Sequence, residues 1–549
     1  DQENVFASVK TDYDLGAMTL TAIFAYDKLE EELGSDGTSA AFGGYSLGGP
    51  ESAAACLNSF NNFDAGLLDA PFYAVRDGQP PGSFNFDFNS LNAFLPPYSP
   101  TTCDGTQYQE RNQDSRSVEL RLASNGEGRI NWVAGAYYLE IEREVVVSYG
   151  ADLGLGIIKA PYAPPGSINP TDLLFWDDFD TDVYSLFGQL EFDLADGHEL
   201  SLAARWDREE RAVSNKVPNV NAAQIFGLFG PRPINPGFDG SGTDVIADRS
   251  RTFEHFQPKV SYTFSPVDEV SLYATYGVGF RSGGFNSLGS EALIQQNFGT
   301  FDTAPRNTRD DFDKEVTDSF ELGFKSRLLD NRLQVNGAAF RTKVKDYQDF
   351  TFFAGSFGLL RVVNNVDQVR INGAEVDFLF ALNEYITLNG GFGYLDSEIR
   401  KNSNRPYTEG NNAPMAPNTT GNLGIDFRAP VAGNLEFGVR LDLQHVGPTW
   451  FSTVQKNTVT NAFTDLSEIY GIPGFGFGPA EFSRTRRDSY ETANLRVSLS
   501  GEKWSITAWS NNITDKDFLE EVISAPEFGG VFVHENPGRI TGIDFVWNF

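Results

Sequence analysis

Apolar and polar positions alternate with a period of two through much of this chain, the pattern of strands with one wet and one dry face. The clearest case is Val270, Leu272, Ala274, Tyr276, Val278 and Phe280, interleaved with Ser271, Tyr273, Thr275, Gly277 and Gly279. A tight turn, Ser265-Pro266-Val267-Asp268-Glu269, joins it to a strand at about 252–264. The same unit of strand, short turn and strand recurs near 4–13 with 18–29, 115–124 with 130–147, 178–194 with 199–211, and 315–328 with 332–349. Further copies lie near 367–381 with 386–399, 417–427 with 435–447, and 487–500 with 504–514. Turns such as Asn125-Gly126-Glu127-Gly128, Ala195-Asp196-Gly197 and Leu329-Asp330-Asn331 are rich in residues that tolerate a sharp reversal. With a last strand at about 540–549, the pattern predicts about 17 strands.

Between pairs the connections are long, at about 30–114, 148–177, 212–248, 281–314, 350–364, 400–416, 448–486 and 515–539. Short turns at one end and long loops at the other are the asymmetry of outer-membrane barrels. No window approaches the ~20 apolar residues of a membrane helix. The predicted fold is therefore all-β, a transmembrane antiparallel up-and-down β-barrel. Charge alternates with apolar bulk in Val118-Glu119-Leu120-Arg121-Leu122, in Phe320-Glu321-Leu322-Gly323-Phe324-Lys325 and in Val376-Asp377-Phe378. A basic residue facing lipid at mid-membrane costs ~2–4 kcal/mol, so Glu119, Arg121, Glu321, Lys325 and Asp377 are expected to face the lumen.

Composition agrees: 54 Gly, 47 Phe and 20 Tyr stand against 2 Met among 549 residues, an aromatic and glycine-rich chain that is polar on average. Its 75 acidic and 42 basic residues leave a formal charge of -33, which repels nucleic acid and excludes it as a partner. Cys56 and Cys103 fall in one long polar segment, a placement that permits a loop-closing disulfide in an oxidising compartment. No charged-then-apolar leader opens the sequence, so a signal peptide is expected to have been removed or to lie outside it.

Leu272-Tyr273-Ala274-Thr275-Tyr276-Gly277-Val278-Gly279-Phe280-Arg281-Ser282-Gly283-Gly284-Phe285-Asn286 is similar to a "YASYSRGFRSGGFN"-like stretch of the TonB-dependent receptors, a family of the Gram-negative outer membrane. Ser319-Phe320-Glu321-Leu322-Gly323-Phe324-Lys325, Asn372-Gly373-Ala374-Glu375-Val376 and Trp509-Ser510-Asn511-Asn512-Ile513-Thr514-Asp515-Lys516 resemble its "E.G.K", "NGAE" and "NNLTDK" elements. The final strand alternates Ile543, Phe545, Trp547 and Phe549 and ends on Phe549, which resembles the signal read by the barrel assembly machinery. Such receptors have 22 strands around a plug. The resemblance implies that residues 1–549 are the C-terminal portion of one barrel, with the plug and about five strands not in this chain. Leu20-Thr21-Ala22-Ile23-Phe24-Ala25-Tyr26 resembles the family's seventh strand.

Candidate chemistry is sparse. Gly44-Tyr45-Ser46-Leu47-Gly48 matches a nucleophile elbow but lacks the strand before it and the helix after it, so no catalytic residue and no cofactor are expected. His198, His255, His445 and His534 are scattered singly without ligand spacing. Asp177, Asp178, Asp180 and Asp182 form one carboxylate run and Asp310, Asp311 and Asp313 another; either could offer oxygens to Ca²⁺, and either also suits a solvated rim. Aromatic residues crowd the loops, including Phe350, Phe475 and Phe477. Those near strand ends suit a membrane-interface girdle, while flat rings on loops also suit a vestibule that grips a substrate. Phe175, Trp176, Phe352, Phe353, Trp450 and Phe451, with Arg281 and Phe285, are the substrate-loop candidates.

The resemblance implies active uptake of a scarce nutrient, a ferric siderophore, carbohydrate or similar small molecule, driven by the TonB-ExbB-ExbD system through the plug. It implies a bacterial outer-membrane location, with lipid bilayer and lipopolysaccharide as surroundings, long loops extracellular and the C-terminus periplasmic. The acidic balance favours a neutral or cationic substrate over an anionic one. The competing reading is a structural or adhesive barrel whose loops bind a surface partner without transport. A passive porin fits the long loops less well.

Overall fold

The computed structural model describes residues 1–36, 105–126, 128–151, 159–165, 167, 170–222, 233–299, 305–355, 358–461, 480–527 and 530–548. Seventeen strands form one antiparallel sheet. They are β1 (Gln2–Asp14), β2 (Met18–Asp36), β3 (Gly105–Ser124), β4 (Ile130–Ala151), β5 (Thr171–Ala195), β6 (His198–Asn215), β7 (Arg249–Val267), β8 (Val270–Arg281) and β9 (Glu315–Leu328). There follow β10 (Leu333–Gly355), β11 (Gly358–Ala381), β12 (Ile386–Lys401), β13 (Thr419–Pro430), β14 (Glu436–Val446), β15 (Tyr490–Ser500), β16 (Trp504–Asn511) and β17 (Ile540–Trp547). Strands adjacent in sequence pair with each other throughout, an up-and-down meander. Among the described residues, β1 pairs only with β2 and β17 only with β16.

Register fixes the two faces. Across β8 and β9, Leu272 lies opposite Phe324, Ala274 opposite Leu322 and Tyr276 opposite Phe320, so one face is apolar. The alternate positions pair Ser271 with Lys325, Tyr273 with Gly323 and Thr275 with Glu321. Glu119 and Arg121 pair on that polar face of β3, Tyr273 donates to Glu321 at 2.7 Å, and Asn336 donates to Asp377 at 2.9 Å. Further round the same face Arg205 is held by Asp207, with its guanidinium 5.8 Å from the centre of the Phe187 ring and a hydrogen bond to Ser185. Phe320, Leu322, Leu272, Ile543 and Phe545 stay exposed on the other face, as a lipid-facing surface requires. At Gly323 the Tyr273 ring lies where a Cβ would stand, which explains a glycine in mid-strand.

Short turns close one rim. Gly197, between β5 and β6, has φ +73°, and a Cβ there would strike the Ser265 carbonyl of the neighbouring turn. Leu329, Asp330 and Asn331 all adopt left-handed backbone between β9 and β10. At the opposite rim several strands run well past the alternating stretch. The expected loop at 350–364 is instead a continuation of β10 and β11, paired from Phe350 with Val363 to Gly355 with Gly358. A helix, α1 (Ser290–Phe298), stands in the segment expected to be irregular between β8 and β9. The described hydrophobic clusters are built from strand ends and loops at this long-loop rim, as the membrane-spanning wall turns its apolar side outward.

Candidate functional site

The long-loop rim is a folded unit. Tyr149 (β4), Leu173 and Phe175 (β5), Leu293, Ile294 and Phe298 (α1), and Phe353, Leu360 and Val362 (β10 and β11) make one buried apolar cluster. Tyr149 hydroxyl accepts from Gln107 at 2.7 Å and donates to the Leu359 carbonyl at 2.6 Å. Parts of the sheet that are far apart in strand order are thus joined over the mouth.

Buried side-chain amides and carboxylates hold the connecting segments. Asn286 accepts from the Val363 N–H at 2.8 Å and donates to its carbonyl at 3.0 Å, tying the segment after β8 to β11. Asp177 accepts from Leu288 N–H at 3.0 Å and from Asn215 at 2.8 Å. Asp310 accepts from the N–H groups of Gly289 at 3.0 Å and Glu291 at 2.8 Å, serving the otherwise unpaired donors at the start of α1. Burial pushes the Asp177 carboxyl up to about 7 and raises Asp310 as well. Of the other carboxylates, Asp178 pairs with Lys216 at 2.9 Å, and Asp311 and Asp313 both pair with Arg251 and Arg309. Asp180 lies two positions along β5 from Asp178. The carboxylates proposed for Ca²⁺ are therefore mostly engaged by backbone donors and cations. Among the described residues no group of three or more His, Cys, Asp or Glu is placed to hold a metal.

On the far side of the β10–β11 hairpin, Arg405 and Glu527 form an ion pair at 2.7 Å, with 5% and 1% of their side chains exposed. The Arg405 guanidinium also lies 6.0 Å from the Phe353 ring centre. The loops covering Asp349 push its carboxyl up to about 6, against the pull of Arg405 and a hydrogen bond from Thr453. A small pocket opens here, lined by Asp349, Phe350, Phe352, Phe451, Thr453 and Ser524 among others. Among the described residues, the Ser524 hydroxyl is buried without a hydrogen-bond partner. Phe350 and Phe352 meet edge to face at 5.7 Å, and the guanidinium of Arg361 covers Phe350 at 4.6 Å.

The aromatic candidates divide. Phe352 and Phe451 line this pocket, whereas Phe175 and Phe353 are each 1% exposed inside the loop cluster, their rings occupied by packing. Trp450 is nearly buried with Arg486 5.9 Å from its ring centre, and Arg487 stands 5.3 Å from that of Phe451. Trp176 donates from its indole to Glu144 at 2.9 Å. Phe285 sits in a two-residue ladder opposite Asp311, and Arg281 is exposed at the end of β8. Sequence reasoning missed Asp349, Thr453, Ser524 and the Arg405–Glu527 pair, whose members are 122 positions apart and carry no local motif. Cys56, Cys103, Gly44 to Gly48, Phe475, Phe477 and Phe549 lie outside the described residues.

Comparison with known proteins gives a consistent picture. Residues 11–513 match the family described as "TonB dependent receptor-like, beta-barrel". The probable TonB-dependent receptor BfrD of Bordetella pertussis is 23% identical over 278 residues, 48% of this chain and 32% of that protein. The probable TonB-dependent siderophore receptor PiuA of Acinetobacter baumannii is 23% identical over 241 residues, 42% of this chain and 27% of that protein. Among solved structures, the ferric yersiniabactin uptake receptor FyuA of Yersinia pestis superposes with a TM-score of 0.64 at 12% identity, covering 100% of this chain and 61% of that one. The matched stretches thus span about a third of these curated relatives, and the chain about three fifths of the solved one. The fold is shared, and with the family match over most of the sequence the chain belongs to the TonB-dependent receptor family, as its β-barrel.

Proposed function

We propose that this chain is the wall and mouth of an active importer. Proteins of its family are outer-membrane β-barrels. In this reading the long-loop rim faces outward, the short turns and the C-terminus face the periplasm, and a small molecule is captured at the mouth. What carries this reading is the family match together with a mouth built as a rigid frame around a partly open polar and aromatic pocket. A passive channel has no need of loops cross-linked by a buried ion pair and a hydrophobic core of their own. The energy would come from TonB with ExbB and ExbD, acting on a plug seated within the wall. The single-sided pairing of β1 and β17 leaves room for further wall strands.

The relatives named above include a receptor for ferric yersiniabactin and a probable siderophore receptor, and another structural neighbour is a copper transporter. A siderophore or a similar metal-carrying molecule is the corresponding class here. The Asp349 carboxylate beside Phe350, Phe352 and Phe451 suits a neutral or cationic ligand group, in keeping with the net charge of -33. The test is comparative uptake: small molecules removed from a growth medium are measured for cells with the protein, without it, and with it but lacking TonB. A compound whose uptake requires both protein and TonB is the expected result. Equal uptake in all three, with a surface partner bound only when the protein is present, would replace the importer by an adhesive barrel.

A further inference from the structure

The lipid-facing side of β10 carries a feature that import does not require. Val335, Gly337 and Ala339 lie opposite Ser326, Phe324 and Leu322 on β9 and opposite Phe378, Val376 and Ala374 on β11, so they belong to the largely apolar outer face. The next three outward positions are Arg341, Lys343 and Lys345, all exposed. The intervening side chain, Val344, points the other way and packs with Val369, Ile399 and Ala413.

Position along the strand sets the height of this row. At about 3.4 Å per residue and a tilt near 40°, Arg341 lies roughly 20 Å and Lys345 roughly 30 Å above Leu333. An outer-membrane apolar band is about 25 Å tall, so the row straddles its upper border. Tyr276 and Tyr394, outward on β8 and β12, lie at that border, where tyrosines collect.

The neighbours neutralise the row only in part. On β9, Asp318 lies opposite Lys343, stands 3.9 Å from Lys345 Nζ and accepts from the Tyr276 hydroxyl at 3.2 Å. On β11 the facing residues are Asn372, Arg370 and Gln368, and Arg370 is paired with Glu398 at 2.5 Å. Asp396 lies one strand further, opposite Asn372. Among the described residues Arg341 and Lys343 have no ion pair. On β4 and β5 the corresponding outward positions are acidic, Glu140 and Glu142 facing Asp182 and Asp180, with Asp114 opposite Glu142 and Arg116 opposite Glu140 on β3.

We propose that Arg341, Lys343 and Lys345 form a docking strip for the anionic headgroup of a lipid in the outer leaflet, its phosphate held by the three cations and its chains lying on the apolar face below. A headgroup satisfies both halves of the surface at once, which a free anion does not.

The test reconstitutes the full protein in phosphatidylcholine nanodiscs containing phosphatidylglycerol, and counts retained lipids by native mass spectrometry. The comparison is R341Q/K343Q/K345Q, with K325Q on the lumen face of the neighbouring strand as control. Heat-modifiable gel migration verifies that each variant is a folded barrel. Preferential retention of phosphatidylglycerol by wild type and K325Q, reduced roughly a hundredfold in the triple variant, is the expected result, from the attraction each basic residue contributes at an anionic surface. Equal retention by wild type and the triple variant overturns the strip. Displacement of phosphatidylglycerol by an equal concentration of inorganic phosphate also overturns it, because the site would then hold a small anion and not a lipid.

Discussion

Tyr149 on β4 and Leu359 on β11 are joined by a hydrogen bond of 2.6 Å although 210 positions separate them. Strands β5 to β10 lie between them in the sheet, so the bond runs across the mouth and not along the wall. Replacing Tyr149 by Phe keeps the ring in the apolar cluster and removes only the hydroxyl, with its bonds to Leu359 and Gln107, at a cost of about 1 kcal/mol for each bond. Hydrogen exchange should quicken in the β10–β11 hairpin tip and stay unchanged in the membrane wall. Uniform acceleration throughout the barrel would show that Tyr149 holds the whole fold and not this bridge.

Phe352 and Phe353 are neighbours with opposite expected roles. Phe353→Ala opens a cavity in the loop cluster and should loosen the rim by roughly 3–5 kcal/mol, read as exchange at α1 and the strand ends. Phe352→Ala should leave those exchange rates near wild type and weaken substrate capture instead, since its ring lines the pocket. Matching phenotypes for the two variants would refute this division.

The Arg405–Glu527 pair is buried on both sides, so removing one partner strands a charge. Glu527→Met or Arg405→Met alone should destabilise the loops by about 3–5 kcal/mol, whereas R405M/E527M should recover much of that loss. Denaturant titration of loop unfolding in a double-mutant cycle measures the coupling; additive losses would mean the two side chains act independently.

Asp177 makes the rim sensitive to pH. Its carboxyl is raised from the ordinary value of 3.8 to about 7 in the folded protein, mainly by burial. Between those values the folded form holds a proton that the unfolded form has released, so its contribution to stability falls as pH rises and is lost through pH 7. Exchange at the Leu288 amide, corrected for intrinsic rates, should therefore be slower at pH 5 than at pH 8. Asp177→Asn should flatten that dependence; an unchanged slope in the variant would assign it to another group, Asp310 first.

The wall was legible in the sequence because lipid and water impose opposite demands on successive residues, and Leu272 to Phe280 shows this directly. Glu119, Arg121, Glu321, Lys325 and Asp377 fell on the polar face for the same reason. Beyond the membrane the demand lapses. From Phe350 to Val363 both sides of the hairpin meet protein or solvent, so β10 and β11 continue without the alternation that would announce them. The mouth was legible only in part, because a list of loop aromatics does not distinguish Phe352, which reaches a pocket, from Phe353, which is sealed by α1. The carboxylate runs were read as possible cation sites, yet the donors that engage Asp177 and Asp310 come from the segment around Leu288 to Glu291, far from Asp177 in sequence.

The apolar cluster at the rim has a bearing on how this surface can evolve. In the outward orientation proposed for this rim, its loops are targets for phage and antibodies, and escape favours rapid replacement of whatever they touch. Here Tyr149 and Phe175 from the β4–β5 strand ends, Phe298 from α1 and Phe353 from the β10–β11 hairpin share one interior, so a change in one constrains the others. Drift is thereby confined to the outermost side chains, and larger novelty has to arrive as an exchange of several loops together.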